Sequence, residues 1–176
     1  MREKLATVDP DGAVLEGEAA PGVAFTAGHA GDAGCARCVA ELEAAGEGFD
    51  KAFGQRDYQG FIDFFYDANA TGLGADGTVG MNRDAWGRIL KMYFDEPLWT
   101  LTVTPIKTVV QNCVCGQILE VVKFDAPDNQ ITFVHVTCWL RSHGEWKVVL
   151  QTEAGPLEDT DALLKQVADQ KAEAGR

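Results

Sequence analysis

No stretch of about 18 apolar residues occurs in this chain, so no segment of it can cross a membrane as a helix. Positive charge is scarce: 15 Lys and Arg stand against 27 Asp and Glu, for a formal net charge of −12. Phosphate backbones and anionic membrane surfaces call for basic patches, so neither nucleic acid nor membrane is an expected partner. There is no G-x-S-x-G, no phosphate-binding loop and no H-E-x-x-H. The nucleophile elbow, the nucleotide cradle and the metalloprotease helix are therefore not expected, and neither a cofactor nor a metal is implied. No apolar run follows Met1-Arg-Glu-Lys-Leu5, which does not read as a signal peptide; a cytoplasmic setting is expected unless a leader has been removed. Histidine is rare: His29 falls in a polar N-terminal stretch, His143 in a turn signal, and His135 in an apolar run.

Cysteine is present in an odd number, Cys35, Cys38, Cys113, Cys115 and Cys138, which argues against a complete disulfide framework. Cys113 and Cys115 are two apart on a strand pattern, face the same way and make a poor pair. Cys35-Ala-Arg-Cys38 together with Cys113-Val-Cys115 could form a four-sulfur zinc site, but the second spacing is unusual for one. Buried or free thiols are the simpler expectation.

At 46% hydrophobic and 9% aromatic, the 176 residues can build one domain with a substantial core. Residues 1–34, rich in Gly, Ala, Asp and Pro, read as an arm that Val14, Leu15, Val23 and Phe25 could anchor. Residues 35–156 read as the domain, and 157–176 as a charged helical tail with Leu163, Leu164 and Val167 as a narrow stripe. Within the domain, Cys35 to Phe53 is helical by its spacing of Val39, Leu42, Gly46, Phe49 and Phe53. Asp57 can cap a second helix through Tyr58, Phe61, Ile62, Phe64 and Phe65, running to Tyr66 or Asp67. Asn69 to Met81 reads as a short hairpin turning at Ala75-Asp-Gly77. A third helix starts at Asn82 or Asp84 and ends before Pro97. Four strand patterns follow, at 100–111, 113–124, 130–141 and 145–152. The breaks between them are too short for parallel crossovers, so they form an antiparallel meander.

Three passages carry a family resemblance: Phe49-Asp-Lys-Ala-Phe-Gly-Gln-Arg-Asp57, Phe64-Phe-Tyr-Asp-Ala-Asn-Ala-Thr71 and Leu140-Arg-Ser-His-Gly-Glu-Trp-Lys-Val-Val149. In this order they resemble the nuclear-transport-factor-2-like superfamily over about residues 35–156, particularly its SnoaL-like and kinase-association-domain-like members. The resemblance implies a cone-shaped α+β fold, with a strongly curved mixed or antiparallel sheet of about six strands covered by three N-terminal helices. It further implies a pocket inside the sheet and homodimerisation through the sheet's outer face. Its members include ketosteroid isomerases, polyketide cyclases, dehydratases, iota-class carbonic anhydrases and non-catalytic binding or assembly domains. Phe49 and Phe53 stand where the isomerases place a tyrosine, which puts that oxyanion arrangement in doubt. Leu150-Gln-Thr-Glu153 likewise departs from the His- and Ser-rich last strand of the carbonic anhydrases.

Alternation puts Phe133, His135, Thr137 and Trp139 on one face of their strand and Val134, Val136, Cys138 and Leu140 on the other. The first set, polar and aromatic, suits a pocket lining; the second, aliphatic with one thiol, suits a dry interface. The same alternation groups Trp146, Val148, Leu150 and Thr152 toward the helices and leaves Lys147, Val149, Gln151 and Glu153 on the opposite face. His135 is the candidate catalytic residue, since imidazole titrates near neutrality, against the plainer possibility of a core or interface histidine. Candidate ligand contacts are Trp86, Tyr93, Phe133, Thr137, Trp139, Asn69 and Asp63, with Thr71, Gln117 and Glu120 near the same space. Glu120 is expected on an exposed face. The expected ligand is a small hydrophobic or aromatic molecule. Three functions stay open: an acid–base isomerase, cyclase or dehydratase on an apolar oxygenated substrate, a non-catalytic carrier, and an assembly module.

Overall fold

The computed structural model describes residues 7–8, 14–15, 33–66, 69–96, 98–127 and 129–174, with the side chains of 7–8, 14–15, 33–35, 129 and 174 left out. The roles expected of Val23, Phe25, His29, Asp67 and Pro97, and of the Val14, Leu15 and Cys35 side chains, lie outside the described residues. In the arm, β1 (Thr7–Val8) and β2 (Val14–Leu15) pair antiparallel.

Helix α1 (Ala33–Gly54) leads the domain, and its stripe Cys38, Leu42, Phe49 and Ala52 is buried. Glycine allows its close seating: a Cβ on Gly46 would run into Ile118, and one on Gly116 into Leu42. Helix α2 (Tyr58–Ile62) is capped by Asp57, whose carboxylate accepts from the Gly60 N–H at 2.9 Å. It ends earlier than the aromatic spacing suggests. The Val148 N–H donates to the Phe64 carbonyl at 2.8 Å and the Tyr66 N–H to the Val148 carbonyl at 2.7 Å. The backbone thus exchanges helical bonds for a parallel bridge to the sheet. Helix α3 (Arg83–Asp95) is capped by Asn82, which accepts from the Ala85 N–H at 2.8 Å, and buries Trp86, Leu90 and Phe94.

The sheet has six strands: β3 (Thr71–Leu73), β4 (Val79–Gly80), β5 (Thr100–Gln111), β6 (Cys115–Ala126), β7 (Asn129–Ser142) and β8 (Glu145–Ala154). Their spatial order is β4-β3-β8-β7-β6-β5. The short strand β3 lies parallel to β8, and every other pairing is antiparallel. Asn112 and Cys113, then His143 and Gly144, take positive φ in the two tight turns of the meander, as primed hairpin turns require. The result is the expected α+β cone, a curved, open mixed sheet under α1, α2 and α3. Helix α4 (Thr160–Ala174) follows, with Leu163, Leu164 and Val167 half-buried.

The cysteine expectation is corrected. Cys38 on α1 and Cys113 in the β5–β6 turn form a disulfide, with Cα atoms 5.5 Å apart, while Cys115 and Cys138 are free. Among the described residues no cluster of His, Cys, Asp and Glu could hold a metal. The two bonded cysteines are 75 residues apart in sequence, and only the seating of α1 against the meander joins them. Closing a loop of that length removes denatured-state freedom, a gain of about 2–4 kcal/mol for a typical disulfide. Reduction, or Cys113→Ser, should therefore lower the melting temperature by several degrees, measured by calorimetry with and without reductant.

Candidate active site

Alternation along β6 turns Gly116, Ile118, Glu120, Val122 and Phe124 inward. Along β7 it turns Phe133, His135, Thr137 and Trp139 inward. On β8 the alternation breaks. Trp139 pairs with Val148 but Cys138 pairs with Leu150, so Val149 is an extra residue, a β-bulge. Trp146 and Val148 face the helices before it. After it, Gln151 and Glu153 face inward, and Leu150 and Thr152 turn outward. The uninterrupted alternation expected from the sequence is thus corrected: the bulge swings an amide and a carboxylate into the interior.

The inward residues and the helices enclose a cavity of about 640 Å³. Its walls include Phe49, Asp50, Trp86, Tyr93, Val122, Phe133, His135, Gln151 and Glu153. Glu120, His135 and Glu153 are direct cross-strand neighbours, forming one row over β6, β7 and β8. Glu120 is not on an exposed face: it and His135 are each 5% exposed, and the His135 Nδ1 lies 3.3 Å from the Glu120 carboxylate. The tautomer that satisfies this contact has Nδ1–H donating to the carboxylate. Nε2 is then a bare acceptor, buried and without a partner. The Phe49 ring stacks on the imidazole with centroids 6.2 Å apart and planes 13° off parallel.

Above the row, α1 presents Asp50. Burial foremost, then the Glu120 charge, a hydrogen bond with Glu120 and the charge of Glu47, push its carboxyl up to about 8. Asp50 is therefore the proton carrier of this pair at neutral pH, and Glu120 accepts from both Asp50 and His135. At the other end, burial raises Glu153, opposed by the neighbouring His135 and by the Ala75 N–H, which donates to its carboxylate at 3.3 Å. Gln151 accepts from the Trp86 Nε1–H at 3.0 Å, so β8 and α3 brace each other across the cavity.

Of the residues expected to form the site, His135, Trp86, Tyr93 and Phe133 line the cavity. Thr137 and Trp139 share their face but lie deeper. Each is 1% exposed, and the Trp139 Nε1–H donates to the Thr137 hydroxyl at 2.7 Å. They are core, not cavity wall. Asp63 lies at the surface, accepting from Gln59 at 2.7 Å, and Asn69 is exposed; neither reaches the cavity. Gln117 is exposed on the outer face against Cys138.

Sequence reasoning missed Asp50 and Glu153 as site residues and misplaced Glu120. Asp50 could have been suspected, standing four residues after Gly46 and three before Phe53 on the apolar stripe. Glu120 shares its alternation with Ile118, Val122 and Phe124. Glu153 carried no such signal, because the bulge that turns it inward is not written in the strand's pattern.

The fold matches solved structures along nearly their whole lengths. A proposed dehydratase of the nuclear-transport-factor-2-like family from Streptomyces avermitilis aligns with a TM-score of 0.61 at 11% identity, over 71% of this chain and 99% of that one. A nuclear-transport-factor-2-like protein of unknown function from Pseudomonas putida aligns at 0.60 and 14%, over 72% and 92%. A ketosteroid isomerase-like protein from Erwinia carotovora atroseptica aligns at 0.57 and 13%, over 67% and 97%. No protein-family profile matches the chain, and no curated protein does. The chain has the nuclear-transport-factor-2-like fold, and identities this low speak for the fold alone.

A carboxyl raised by burial makes folding proton-linked. Asp50 binds a proton more tightly folded than unfolded, so its stabilising contribution is whole below about pH 4 and is lost as pH climbs toward 8. Asp50→Asn should flatten that decline. The wild-type melting temperature should fall between about pH 5 and pH 8, and the variant's should fall several degrees less, by calorimetry across the range.

Proposed function

We propose that the protein is an acid–base enzyme of isomerase, cyclase or dehydratase type, acting on a small apolar oxygenated substrate in the cone. The observation that carries this reading is His135 Nε2, a buried acceptor with no partner, on a cavity wall, with Nδ1 held by a carboxylate. That is the arrangement of a general base. Glu120 keeps the ring in one tautomer and stabilises the imidazolium once Nε2 has taken a proton. Asp50, neutral at pH 7, supplies the acid: an O–H able to move toward an oxygen as negative charge grows on it. Phe49, Trp86 and Phe133 exclude water and hold a flat apolar body, which strengthens each polar contact inside. The fitting reaction is removal of a proton from carbon next to a carbonyl and its return elsewhere, or loss of a hydroxyl from the adjacent carbon.

A ketone with acidic α-protons tests this without knowledge of the natural substrate. With 2-tetralone in deuterated buffer, the protein should accelerate α-deuterium incorporation seen by NMR. His135→Ala should cut that rate by about 10²–10⁴-fold, and Glu120→Gln should lower it less while shifting its pH profile. An unchanged rate in the His135 variant removes the base. Binding of tetralone with no exchange in the wild type favours the carrier reading.

The expected homodimer is supported by a second observation. Leu119, Val134, Val136, Cys138, Leu140 and Leu150 stand side by side on the outer face of β6, β7 and β8, each half-buried. Such an aliphatic face suits a second copy of the chain. Light scattering at micromolar concentration should give twice the chain mass, and Val136→Lys should shift it to one chain mass. The expectation of a cytoplasmic setting is weakened by the Cys38–Cys113 bond, which supports an oxidising compartment. No helix among the described residues is long and apolar enough to cross a membrane.

A further inference from the structure

The cavity is short of donors and rich in acceptors. Of the titratable and charged side chains in its walls, Asp50, Asp76 and Glu153 are acids, Arg88 is the one Lys or Arg, and His135 and Tyr93 complete the set. Arg88 is an exposed residue of α3 and forms no ion pair with the buried row on β6, β7 and β8. Among the described residues no Lys or Arg forms an ion pair with Asp50, Glu120 or Glu153, and the only ion-pair partner of these carboxylates is His135. A buried carboxylate that lacks a cation normally gains one or stays protonated. Independently, the His135 Nε2 acceptor, in a side chain 5% exposed, has no donor from the protein. The carboxylates ask a ligand for positive charge and N–H donors, while Nε2 shows that the cavity wall still awaits a ligand that supplies a proton to it. The remaining walls are aromatic, with Trp86 and Tyr93 from α3 beside Phe49 and Phe133. The faces of such rings attract a cation as well as an apolar body.

We propose that the cavity selects a ligand carrying a protonated amine on an apolar ring, the ammonium held at Glu153 and the ring against Trp86, Tyr93 and Phe133. This rests on the cavity being the functional site, as above, and narrows the substrate class to amine-bearing oxygenated ring compounds. Catalysis and recognition are then divided along one row: His135 and Glu120 handle the proton, and Glu153 reads the charge. The bulge at Val149 is what brings the reading group in.

The test uses three probes of one shape, 2-naphthylmethylamine, 2-naphthylmethanol and 2-naphthoate, titrated calorimetrically into the intact protein at about pH 7.5. The amine should bind about ten-fold or more tightly than the alcohol, and the carboxylate most weakly. Glu153→Gln, which keeps the side chain's shape and its bond from Ala75, should shrink the amine's advantage to about three-fold or less. Glu145→Gln, an exposed carboxylate in the β7–β8 turn region, should leave it whole. His135→Ala should retain it even though tetralone exchange is lost, which separates failure of this assignment from failure of the catalytic one. Raising the pH toward 8.5 should widen the advantage. The titratable and charged groups around the ammonium are Asp50 on α1, Asp76 in the β3–β4 turn, Arg88 and Tyr93 on α3, His135 and Glu153, with Glu120 behind Asp50 and His135. In this interval Asp50 shifts toward its unprotonated form, which makes the cavity more negative. An alcohol or carboxylate that binds as tightly as the amine, an advantage untouched by Glu153→Gln, or no binding by any probe overturns the proposal.

Discussion

A carboxylate and an imidazole buried together persist only if each satisfies the other, and the contact between Glu120 and His135 is the one on which the interior of this protein turns. It lies between two central strands of the meander, so the register of β6 against β7 also sets the imidazole against the carboxylate that orients it. Phe49 closes over the imidazole from α1, and the next residue, Asp50, shares a proton with the same carboxylate. The helix is therefore held to the sheet by polar as well as apolar contact at the place where the chemistry would occur. Away from that place, the seating of α1 is secured by glycine at Gly46 and Gly116 and by the disulfide from Cys38 to Cys113. The long first helix is thus tied to the meander near one end by a disulfide and carries Asp50 toward the other.

The two halves of the cavity have different physical origins. The deep wall comes from β6 and β7, where regular alternation sends Glu120, Val122, Phe133 and His135 to one side. The other wall depends on an irregularity. Without the extra residue in β8, Gln151 and Glu153 would project to the outer face, leaving Trp86 without its amide partner and the row without its third member. Bulges commonly re-aim side chains beside functional sites, and here one bulge serves both the packing of α3 and the charge of the cavity.

The order of elements was legible from the chain because each leaves a local mark. Helical spacing shows in α1 and α3, caps stand at Asp57 and Asn82, and turn residues separate four runs of β-branched and aromatic residues. The early end of α2 was not legible, since Phe64, Phe65 and Tyr66 continue the aromatic spacing while their backbone is claimed by Val148. His135 stood out as the one histidine in an apolar strand. Asp63 and Asn69 were drawn into the expected site only by nearness in sequence, and they lie on the surface. Thr137 and Trp139 had the right face and the wrong depth, which periodicity does not measure.

By itself the sequence determined the class of fold, the succession of helices and strands, and the inward facing of His135, because these follow from propensities and periods that act over a few residues. Tertiary structure alone decided that Asp50, Glu120 and Glu153 surround that histidine, and that Cys38 finds Cys113. Those outcomes depend on strand register, on one inserted residue in β8 and on the distance at which α1 rides above the sheet, and none of the three has a local signature in the chain.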